Sequence, residues 1–469
     1  MKIVFCSSEV VPFAKTGGLA DVAGALPVAL KRQNAEVVVV MPKYKMIDNK
    51  KFSLKELGPD VTYCKTSGAS TVYFIKSDTF FARDGLYGEK AGDYKDNLER
   101  FSFYCRKTLE LLKKIDFKPD IIHCNDWQSA LIPVYLKTLY RNDNFYRNTK
   151  TVFTIHNLAY QGLFPKDEFP KLGIDWSLFD VEGLEFYGKV NLLKGGLLFS
   201  DLITTVSPTY AKEIQTKEFG CGLEGILLKR KDSLFGVING LDYSLWDPAK
   251  DEHLFKTYST EHSIDKYTNK EELQKLCGLK VNKNIVLLGF VGRLAEQKGV
   301  DFISGLVPRL QKLSIQLVIL GTGEMKYHRL LQAAAKKAPQ HLSLHLKFDN
   351  TLAHRIYAGV DMFLMPSRYE PCGLGQMISF KYGTIPIVRK TGGLADTVID
   401  YPTYSREGNG FVYDGPKKAF LDTVKTAVGV YKDKARWQKL IRRVMEYDFS
   451  WDDSAKRYVK LYTKCLSSE

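Results

Sequence analysis

Lys15-Thr16-Gly17-Gly18-Leu19-Ala20-Asp21 follows an apolar run and begins a run with helical spacing, and the same seven letters recur at residues 390–396. Two identical stretches so far apart, with no repeat between them, indicate two similar half-molecules rather than a solenoid of short repeats. The sequence therefore predicts two related domains.

The first copy of this heptad lies where a predicted strand, about 2–6, passes into a predicted helix, about 19–32. Adjacent glycines permit a tight turn, and N–H groups at the positive end of a helix dipole can bind an anion. Lys15 adds a full positive charge. An ordinary strand-to-helix turn with a solvated lysine is the alternative if this stretch is taken alone.

Length and composition allow two hydrophobic cores. The chain has 469 residues, 45% of them hydrophobic, and single cores rarely exceed about 250–300 residues.

The net charge of +15 favours anionic partners, yet the longest run of Lys and Arg is only 229–231, which does not predict a surface for nucleic acid. Eight widely spaced cysteines without a C-x-x-C pair indicate a reducing compartment. With no apolar stretch near the roughly 20 residues of a membrane span, and Met1 directly before the first strand, we expect a soluble cytoplasmic protein.

Short β-branched runs alternate with longer amphipathic runs along both halves of the chain, which is typical of a parallel sheet wrapped by helices. In the first half we predict strands at 3–6, 36–41, 71–76, 120–123, 151–155, 202–206 and 234–238, with the clearest helix at 94–115. In the second half we predict strands at 284–291, 316–320, 341–347, 361–365 and 384–388. The irregular aromatic stretch 158–188, which contains Pro165 and Pro170, is expected to be an insertion over the active face, and 239–269 a linker.

The predicted fold is therefore α/β, with two Rossmann-like doubly wound domains, 1–245 and 246–445, facing across a deep cleft. We expect a C-terminal helix within 446–469 that packs back on the first domain. Ligands of open parallel sheets bind beyond the carboxyl ends of the strands. The loops expected to carry the function are those at Thr16, Asn125, His156, Gly292, Gly321, Ser367 and Thr391.

Two cations and a carboxylate follow predicted strands of the second domain. Arg293, with Lys298 about one helical turn later, forms a suitable clamp for a diphosphate, with a surface ion pair as the alternative. Glu370 follows the strand 361–365 and can hold sugar hydroxyls, while the amides of 372–375 can hold phosphate. We reject Cys372 as a nucleophile because no histidine is near it in the sequence.

Polar and aromatic residues follow two predicted strands of the first domain, as Asn125-Asp126-Trp127 and His156-Asn157. Taken singly, each would more often pack than bind a ligand. The sequence has no D-x-D, no Walker loop, no G-x-S-x-G and no His/Cys cluster with metal-ligand spacing. Phosphates would then be neutralised by side-chain cations and helix ends, with no metal and no cofactor.

Together these motifs resemble bacterial glycogen synthase and plant starch synthase, and the likeness runs along almost the whole chain. The stretches that carry it are 15–21, 154–162, 370–374 and 391–396, together with Arg293 and Lys298. The resemblance implies a metal-independent GT-B glycosyltransferase that retains anomeric configuration. It would transfer glucose from a nucleotide sugar, ADP-glucose, to the non-reducing 4-OH of an α-1,4-glucan such as glycogen.

The resemblance also implies roles for individual residues. Catalytic roles fall on Lys15, His156, Arg293, Lys298 and Glu370, with the three basic side chains near the donor diphosphate. Donor contacts fall on Gly17, Gly18, Asp21, Asn157, Phe348 (stacked on adenine), Cys372, Gly373, Leu374, Gly375, Thr391 and Gly392. Acceptor contacts fall on Asp126 and Trp127.

Two departures from the family pattern are Gly375, where many relatives carry Thr, and Gln128, where a His is frequent. The alternatives to a glycogen synthase are another GT-B enzyme that uses UDP-glucose, a sugar-nucleotide epimerase on the same fold, and a catalytically silent glucan-binding scaffold. Lys15, Arg293, Lys298 and Glu370 are all present, which argues against a silent scaffold.

Overall fold

The computed structural model describes residues 1–66, 68, 70–89, 92–402 and 406–467. The strands are β1 (Lys2–Cys6), β2 (Glu36–Pro42), β3 (Lys55–Gly58), β4 (Val61–Lys65), β5 (Thr71–Ile75), β6 (Gly88–Glu89), β7 (Gly92–Asp93), β8 (Ile121–Asn125), β9 (Lys150–Ile155), β10 (Leu163–Pro165), β11 (Glu185–Phe186), β12 (Lys189–Asn191), β13 (Leu202–Thr205), β14 (Leu234–Gly236), β15 (Val286–Val291), β16 (Ile315–Leu320), β17 (Leu342–His345), β18 (Met362–Met365), β19 (Ile385–Arg389) and β20 (Phe411–Tyr413).

The α-helices are α1 (Gly18–Arg32), α2 (Asp78–Phe81), α3 (Asn97–Lys114), α4 (Leu131–Lys137), α5 (Leu192–Phe199), α6 (Pro208–Glu213), α7 (Glu224–Lys229), α8 (Lys266–Leu276), α9 (Val300–Leu306), α10 (Leu310–Leu313), α11 (Met325–Lys337), α12 (Asn350–Gly359), α13 (Gly375–Lys381), α14 (Gly392–Thr397), α15 (Lys417–Tyr431), α16 (Lys434–Met445) and α17 (Trp451–Ser467). None of these helices is long and apolar enough to cross a lipid bilayer.

The chain divides into two compact units, one formed by Met1–Gly240 together with the segment from Trp451 onwards, the other by Leu241–Ser450. These boundaries lie a few residues from the predicted ones at 245 and 445. The segment expected to be a linker, 239–269, belongs almost entirely to the second unit. Its Tyr258 is buried there, and its hydroxyl donates to the carbonyl of Tyr382 at 2.8 Å. Polar composition suggested a linker because the few apolar residues that anchor the segment are widely spaced.

The second unit contains a six-stranded parallel sheet in the order β17-β16-β15-β18-β19-β20. Numbered from its own first strand, this is the order 3-2-1-4-5-6 of a doubly wound nucleotide-binding fold. Its central strands are apolar on both faces because helices cover both sides of the sheet. Strand β20 was not predicted from the sequence, since three residues are too few for a recognisable period.

The first unit contains a nine-stranded sheet in the order β14-β13-β9-β8-β1-β2-β5-β4-β3. Seven of its strands, from β14 to β5, are parallel, and they repeat the winding order of the second unit. The hairpin of β3 and β4 extends the sheet in antiparallel fashion and was not predicted, because the partly exposed β3 carries no clear alternation.

The insertion 158–188 is more regular than predicted. It contains 3₁₀ helices at Lys166–Leu172 and Trp176–Leu178, and with β12 it forms a three-stranded antiparallel sheet in the order β10-β12-β11. Pro165 ends β10, and Pro170 lies inside the first 3₁₀ helix instead of preventing it.

Helix α17 packs on the first unit. Tyr458 and Tyr462 are buried, and the hydroxyl of Tyr462 lies 2.7 Å from Nδ1 of His123 on β8. At its start, Ser454 Oγ donates to the carbonyl of Ile238 at 2.6 Å, and Asp452 pairs with Arg32 of α1 at 2.7 Å. The last helix of the chain is thereby part of the first unit's core.

Candidate active site

In the first unit, the winding order reverses between β1 and β8, which are neighbours in the sheet. A crevice beyond the carboxyl ends of the strands is expected at such a point. The loop before α1 follows β1, the pair Asp126-Trp127 follows β8, and the pair His156-Asn157 follows the adjacent β9. All the residues predicted for this half of the site therefore follow strands at or beside the reversal.

Glu9 organises the loop that leads to α1. This nearly buried carboxylate accepts hydrogen bonds from the amide of Thr16, from Thr16 Oγ1 at 2.6 Å and from the amide of Gly17 at 3.2 Å. Tyr87 donates its hydroxyl to the same carboxylate at 2.7 Å. The amides of Thr16 and Gly17, at the start of this turn, are thus engaged by the protein's own Glu9.

Lys15 and the two glycines after it remain directed away from the core. Lys15 pairs with Asp21 at 2.7 Å, and its side chain is 52% exposed. A Cβ added to Gly17 or to Gly18 would meet no heavy atom within 4 Å. This stretch of backbone can therefore be approached closely by another molecule.

Asn125 determines which nitrogen of His156 carries the proton. Nδ2 of Asn125 donates to the carbonyl of Cys6 at 3.0 Å, so its Oδ1 is the acceptor 2.9 Å from Nε2 of His156. Nε2 then bears the hydrogen and Nδ1 a lone pair. Burial lowers the pKa of His156 to about 3, so the ring is neutral at pH 7.

Asp126 has a positive φ of 56° and accepts a hydrogen bond from the amide of His156 at 2.8 Å. Burial raises the pKa of Asp126 to about 7, even though that amide hydrogen bond favours the ionised form. A carboxyl group with this pKa can gain or lose a proton near neutral pH.

Trp127 packs edge-to-face on Phe101, with ring centroids 4.9 Å apart, and is partly exposed. Its neighbour Gln128, one of the two departures from the family pattern, is buried. Oε1 of Gln128 accepts no hydrogen bond from the part of the chain that the structure describes. Gln128 is therefore not presented at the surface beside Trp127.

In the second unit, the winding order reverses between β15 and β18. The exposed Arg293 follows β15 and donates to Oε1 of Gln297 at 2.9 Å. Lys298 forms an ion pair of 2.6 Å with Glu370, which follows β18, and Ser367 donates to the same carboxylate oxygen at 2.8 Å. The carboxylate of Glu370 is nearly buried and held by these two partners, so its position is well defined.

The predicted amide loop 372–375 packs tightly on the second copy of the repeated heptad. A Cβ on Gly392 would lie 2.0 Å from the carbonyl oxygen of Glu370, and one on Gly393 would lie 2.0 Å from that of Cys372. Cys372 and Thr391 are both buried, whereas Gly373 and Leu374 are partly exposed. The second copy thus packs directly against the loop after β18.

Gly375, the other departure, begins α13. A Cβ there would lie 3.0 Å from the ring of Phe363 and 3.3 Å from both Met365 Sδ and the hydroxyl of Tyr357. Neighbouring side chains therefore crowd the place that a threonine would need. Phe348, predicted to stack on adenine, is 87% exposed in the loop after β17.

Tertiary structure adds residues that the sequence analysis missed or left without a role. Glu9 holds the turn at Gly17 and Asn125 holds His156, while Tyr87, 78 positions along the chain from Glu9, donates to the Glu9 carboxylate. Among the described residues, Asp251, His253 and His354 also come within reach of a common ion. Oδ2 of Asp251 already accepts hydrogen bonds from Nδ1 of His354 at 2.7 Å and from the hydroxyl of Tyr382 at 2.5 Å. No sequence spacing could have revealed this cluster, because His354 lies about a hundred residues from Asp251 and His253.

Comparison with known families gives matches to both units. The model described as the starch synthase catalytic domain matches residues 2–229, and the model described as glycosyl transferases group 1 matches residues 269–444. Similar proteins include a glycogen synthase from Geotalea daltonii, 48% identical over 100% of both chains, and one from Thermosipho melanesiensis, 47% identical over 100% of this chain and 99% of the relative.

Among solved structures, the catalytic domain of starch synthase IV from Arabidopsis thaliana bound to ADP and acarbose is similar, with a TM-score of 0.92 and 36% identity over 100% of this chain and 99% of that one. A sucrose-phosphate synthase from Thermosynechococcus elongatus has a TM-score of 0.63 at 17% identity, which supports the fold alone.

Two doubly wound units, each with polar residues following strands at or beside the reversal of strand order, define a two-domain glycosyltransferase of the GT-B class. The chain belongs to the glycogen synthase and starch synthase family.

Proposed function

We propose that this protein is a glycogen synthase, which transfers glucose from ADP-glucose to the non-reducing 4-OH of an α-1,4-glucan and retains the anomeric configuration. The full-length likeness to glycogen synthases and to a starch synthase solved with ADP and acarbose carries this proposal. The placement of the predicted residues other than Phe348 after strands at or beside the two reversals of strand order supports it.

On this proposal the second unit binds the leaving group. Arg293 and Lys298 neutralise the diphosphate, helped by the amides of Cys372, Gly373, Leu374 and Gly375. Phe348, which is 87% exposed, stacks on adenine. When a diphosphate draws Lys298 away, the carboxylate of Glu370 becomes available to sugar hydroxyls, while Thr391 and Gly392 support its loop.

The first unit acts on the glucosyl group and the acceptor. Lys15, paired with Asp21, meets the glucosyl phosphate where negative charge develops, and the backbone of Gly17 and Gly18 lets the donor approach. The neutral His156 and its neighbour Asn157 contact the transferred glucose. Asp126 and Trp127 lie on the acceptor side.

The chemistry we propose is attack from the face that the leaving group occupies. The bond between C1 of glucose and the phosphate oxygen breaks as an oxocarbenium-like sugar forms. The acceptor O4 then bonds to C1, and its proton passes to the departing phosphate, so ADP leaves and the glucan grows by one residue. Neutral side chains near the sugar, such as His156, avoid repelling the positive charge that develops on it.

A comparison of ADP-glucose and UDP-glucose as donors, with glycogen as acceptor, tests the proposal. We expect the higher kcat/KM with ADP-glucose and an α-linked product. Phe348→Ala should raise the KM for ADP-glucose about 2- to 10-fold, the loss of one aromatic stacking contact. Lys298→Ala serves as the inactive control.

A higher kcat/KM with UDP-glucose would contradict the choice of base and favour the alternative GT-B glucosyltransferase. Absence of transfer from both donors would favour a glucan-binding scaffold instead.

A further inference from the structure

Tyr187 occupies a strained position at the tip of a hairpin. It forms, with Gly188, the two-residue turn between β11 and β12, and both residues have positive φ, 49° and 77°. Glycine, asparagine and aspartate are the residues that such a turn favours. An aromatic residue with positive φ is an uncommon outlier, and strain of this kind concentrates where a side chain serves a ligand.

The ring of Tyr187 is exposed to solvent, although a neighbouring ring packs against it. Its side chain is 82% exposed, and among the aromatic residues of the described chain only Phe348 is more exposed. Phe186 packs edge-to-face against it, with ring centroids 4.7 Å apart. Gly222, at a φ of 83°, leaves room for both rings, because a Cβ there would lie 2.9 Å from Phe186 and 3.5 Å from Tyr187. Burial of the ring in the core therefore does not explain the strain.

Hydrogen bonds connect the segments around this hairpin tip to the loop that packs on the predicted acceptor residue Trp127. Gly162 packs on the ring of Trp127 so closely that a Cβ there would lie 2.6 Å from it. The preceding Gln161 accepts a hydrogen bond from Asn191 at the end of β12 and donates one to the carbonyl of Cys221, beside Gly222. Gln161, Asn191 and Cys221 thus form a hydrogen-bonded frame. This frame connects Gly162, which packs on Trp127, with Gly222, which packs beside Tyr187.

We infer that Tyr187 binds the acceptor glucan by stacking its ring on a glucose residue, and so extends the acceptor site beyond Trp127. This inference rests on the proposed function, because it takes the ligand to be an α-1,4-glucan. A flat ring offers its face to the C–H groups of a sugar, and its hydroxyl can pair with sugar hydroxyls. A side chain that is supported and exposed in advance loses little conformational freedom on binding.

Steady-state kinetics of variants at Tyr187 test the inference. We expect Tyr187→Ala and Tyr187→Asn to raise the KM for glycogen about 3- to 10-fold, with the KM for ADP-glucose unchanged. Tyr187→Trp should keep the wild-type KM for glycogen, since it keeps the ring. Tyr187→Asn should also raise the melting temperature by about 2 °C, because asparagine tolerates a positive φ.

The matched control is Trp176→Ala. Trp176 is 49% exposed in the same insertion, but its ring stacks on Phe179 with centroids 5.3 Å apart, and it lies outside the frame that holds Trp127. We expect this variant to keep the wild-type KM for glycogen. An unchanged KM for glycogen in Tyr187→Ala, or an equal rise in Trp176→Ala, would overturn the inference.

Retardation in native gels containing glycogen separates this inference from the proposed function. If the wild type transfers no glucose but is retarded, and Tyr187→Ala migrates faster, Tyr187 binds glucan although the proposed activity is wrong. If wild type and Tyr187→Ala are retarded equally, the inference fails whatever the activity of the enzyme.

Discussion

The two copies of Lys-Thr-Gly-Gly-Leu-Ala-Asp are identical in sequence but differ in surroundings. In the first copy, a Cβ on Gly17 or Gly18 would touch nothing, whereas on Gly392 or Gly393 it would collide with backbone carbonyls at 2.0 Å. The first copy is open to a ligand, and the second is packed against the loop that carries Glu370. The same seven residues are therefore accessible in one unit and packed in the other.

This difference predicts unequal effects of removing the two lysines. Loss of a preorganised charge partner of a developing anion costs about 3–4 kcal/mol, on the order of a hundred- to a thousand-fold in rate. An exposed lysine that contributes only solvation costs about 0–1 kcal/mol. We expect Lys15→Ala to lower kcat/KM on the order of a hundred- to a thousand-fold. Lys390→Ala should lower it only by the factor that about 0–1 kcal/mol represents.

Both lysine variants should be measured at one salt concentration, with thermal melts as the control for folding. Equal losses, or a larger loss at Lys390, would mean that the two copies have been assigned to the wrong roles.

At the scale of an element, helix α17 contacts a buried histidine, His123. His123 lies between Tyr462 of α17 at 2.7 Å and Thr154 of β9 at 2.5 Å. Burial, with a smaller contribution from His156, lowers the pKa of His123 to about 3. A histidine in the unfolded chain has a pKa of about 6.5. Between the folded and the unfolded pKa, the unfolded chain therefore binds more protons than the folded one. Stability must therefore fall as the pH falls through this window.

We predict that His123→Asn reduces the pH dependence of unfolding. Between pH 7 and pH 5 the wild type should lose about 2 kcal/mol more than the variant, because one pKa unit corresponds to about 1.4 kcal/mol. Urea unfolding at both pH values provides the measurement, with the exposed His262→Asn as control. The same pH dependence in wild type and His123→Asn would show that His123 is not the group responsible.

At the scale of the whole molecule, we predict that catalysis needs no divalent ion. The sequence contains no D-x-D, and Lys15, Arg293 and Lys298 can neutralise a diphosphate in place of a metal. The initial rate with ADP-glucose and glycogen should be unchanged in excess EDTA. Since hydrogen bonds already engage Asp251 in the cluster with His253 and His354, EDTA should not lower the melting temperature either.

A rate lost completely in EDTA and restored by magnesium or manganese would refute this prediction. A fall in melting temperature without loss of activity would instead assign an ion to the cluster around Asp251.

The amino-acid sequence by itself determined the fold class and the loops that hold the candidate site. Apolar runs such as 36–41 and helical spacing such as 94–115 are local properties, and they stay readable because each strand or helix must bury its own apolar face. The family motifs could be read for the same reason, since each is a short stretch following one strand.

Only the tertiary structure decided which groups pair. Glu9 with the amide of Gly17, Lys298 with Glu370, and the hairpin tip at Tyr187 with Gly222 are contacts that depend on how neighbouring strands and loops align. The short strands β3 and β20 were missed for a related reason, because they are defined by the strand they pair with. Spacing in the sequence carries no information about such partners, since their distance in space is set by the packing of the whole sheet.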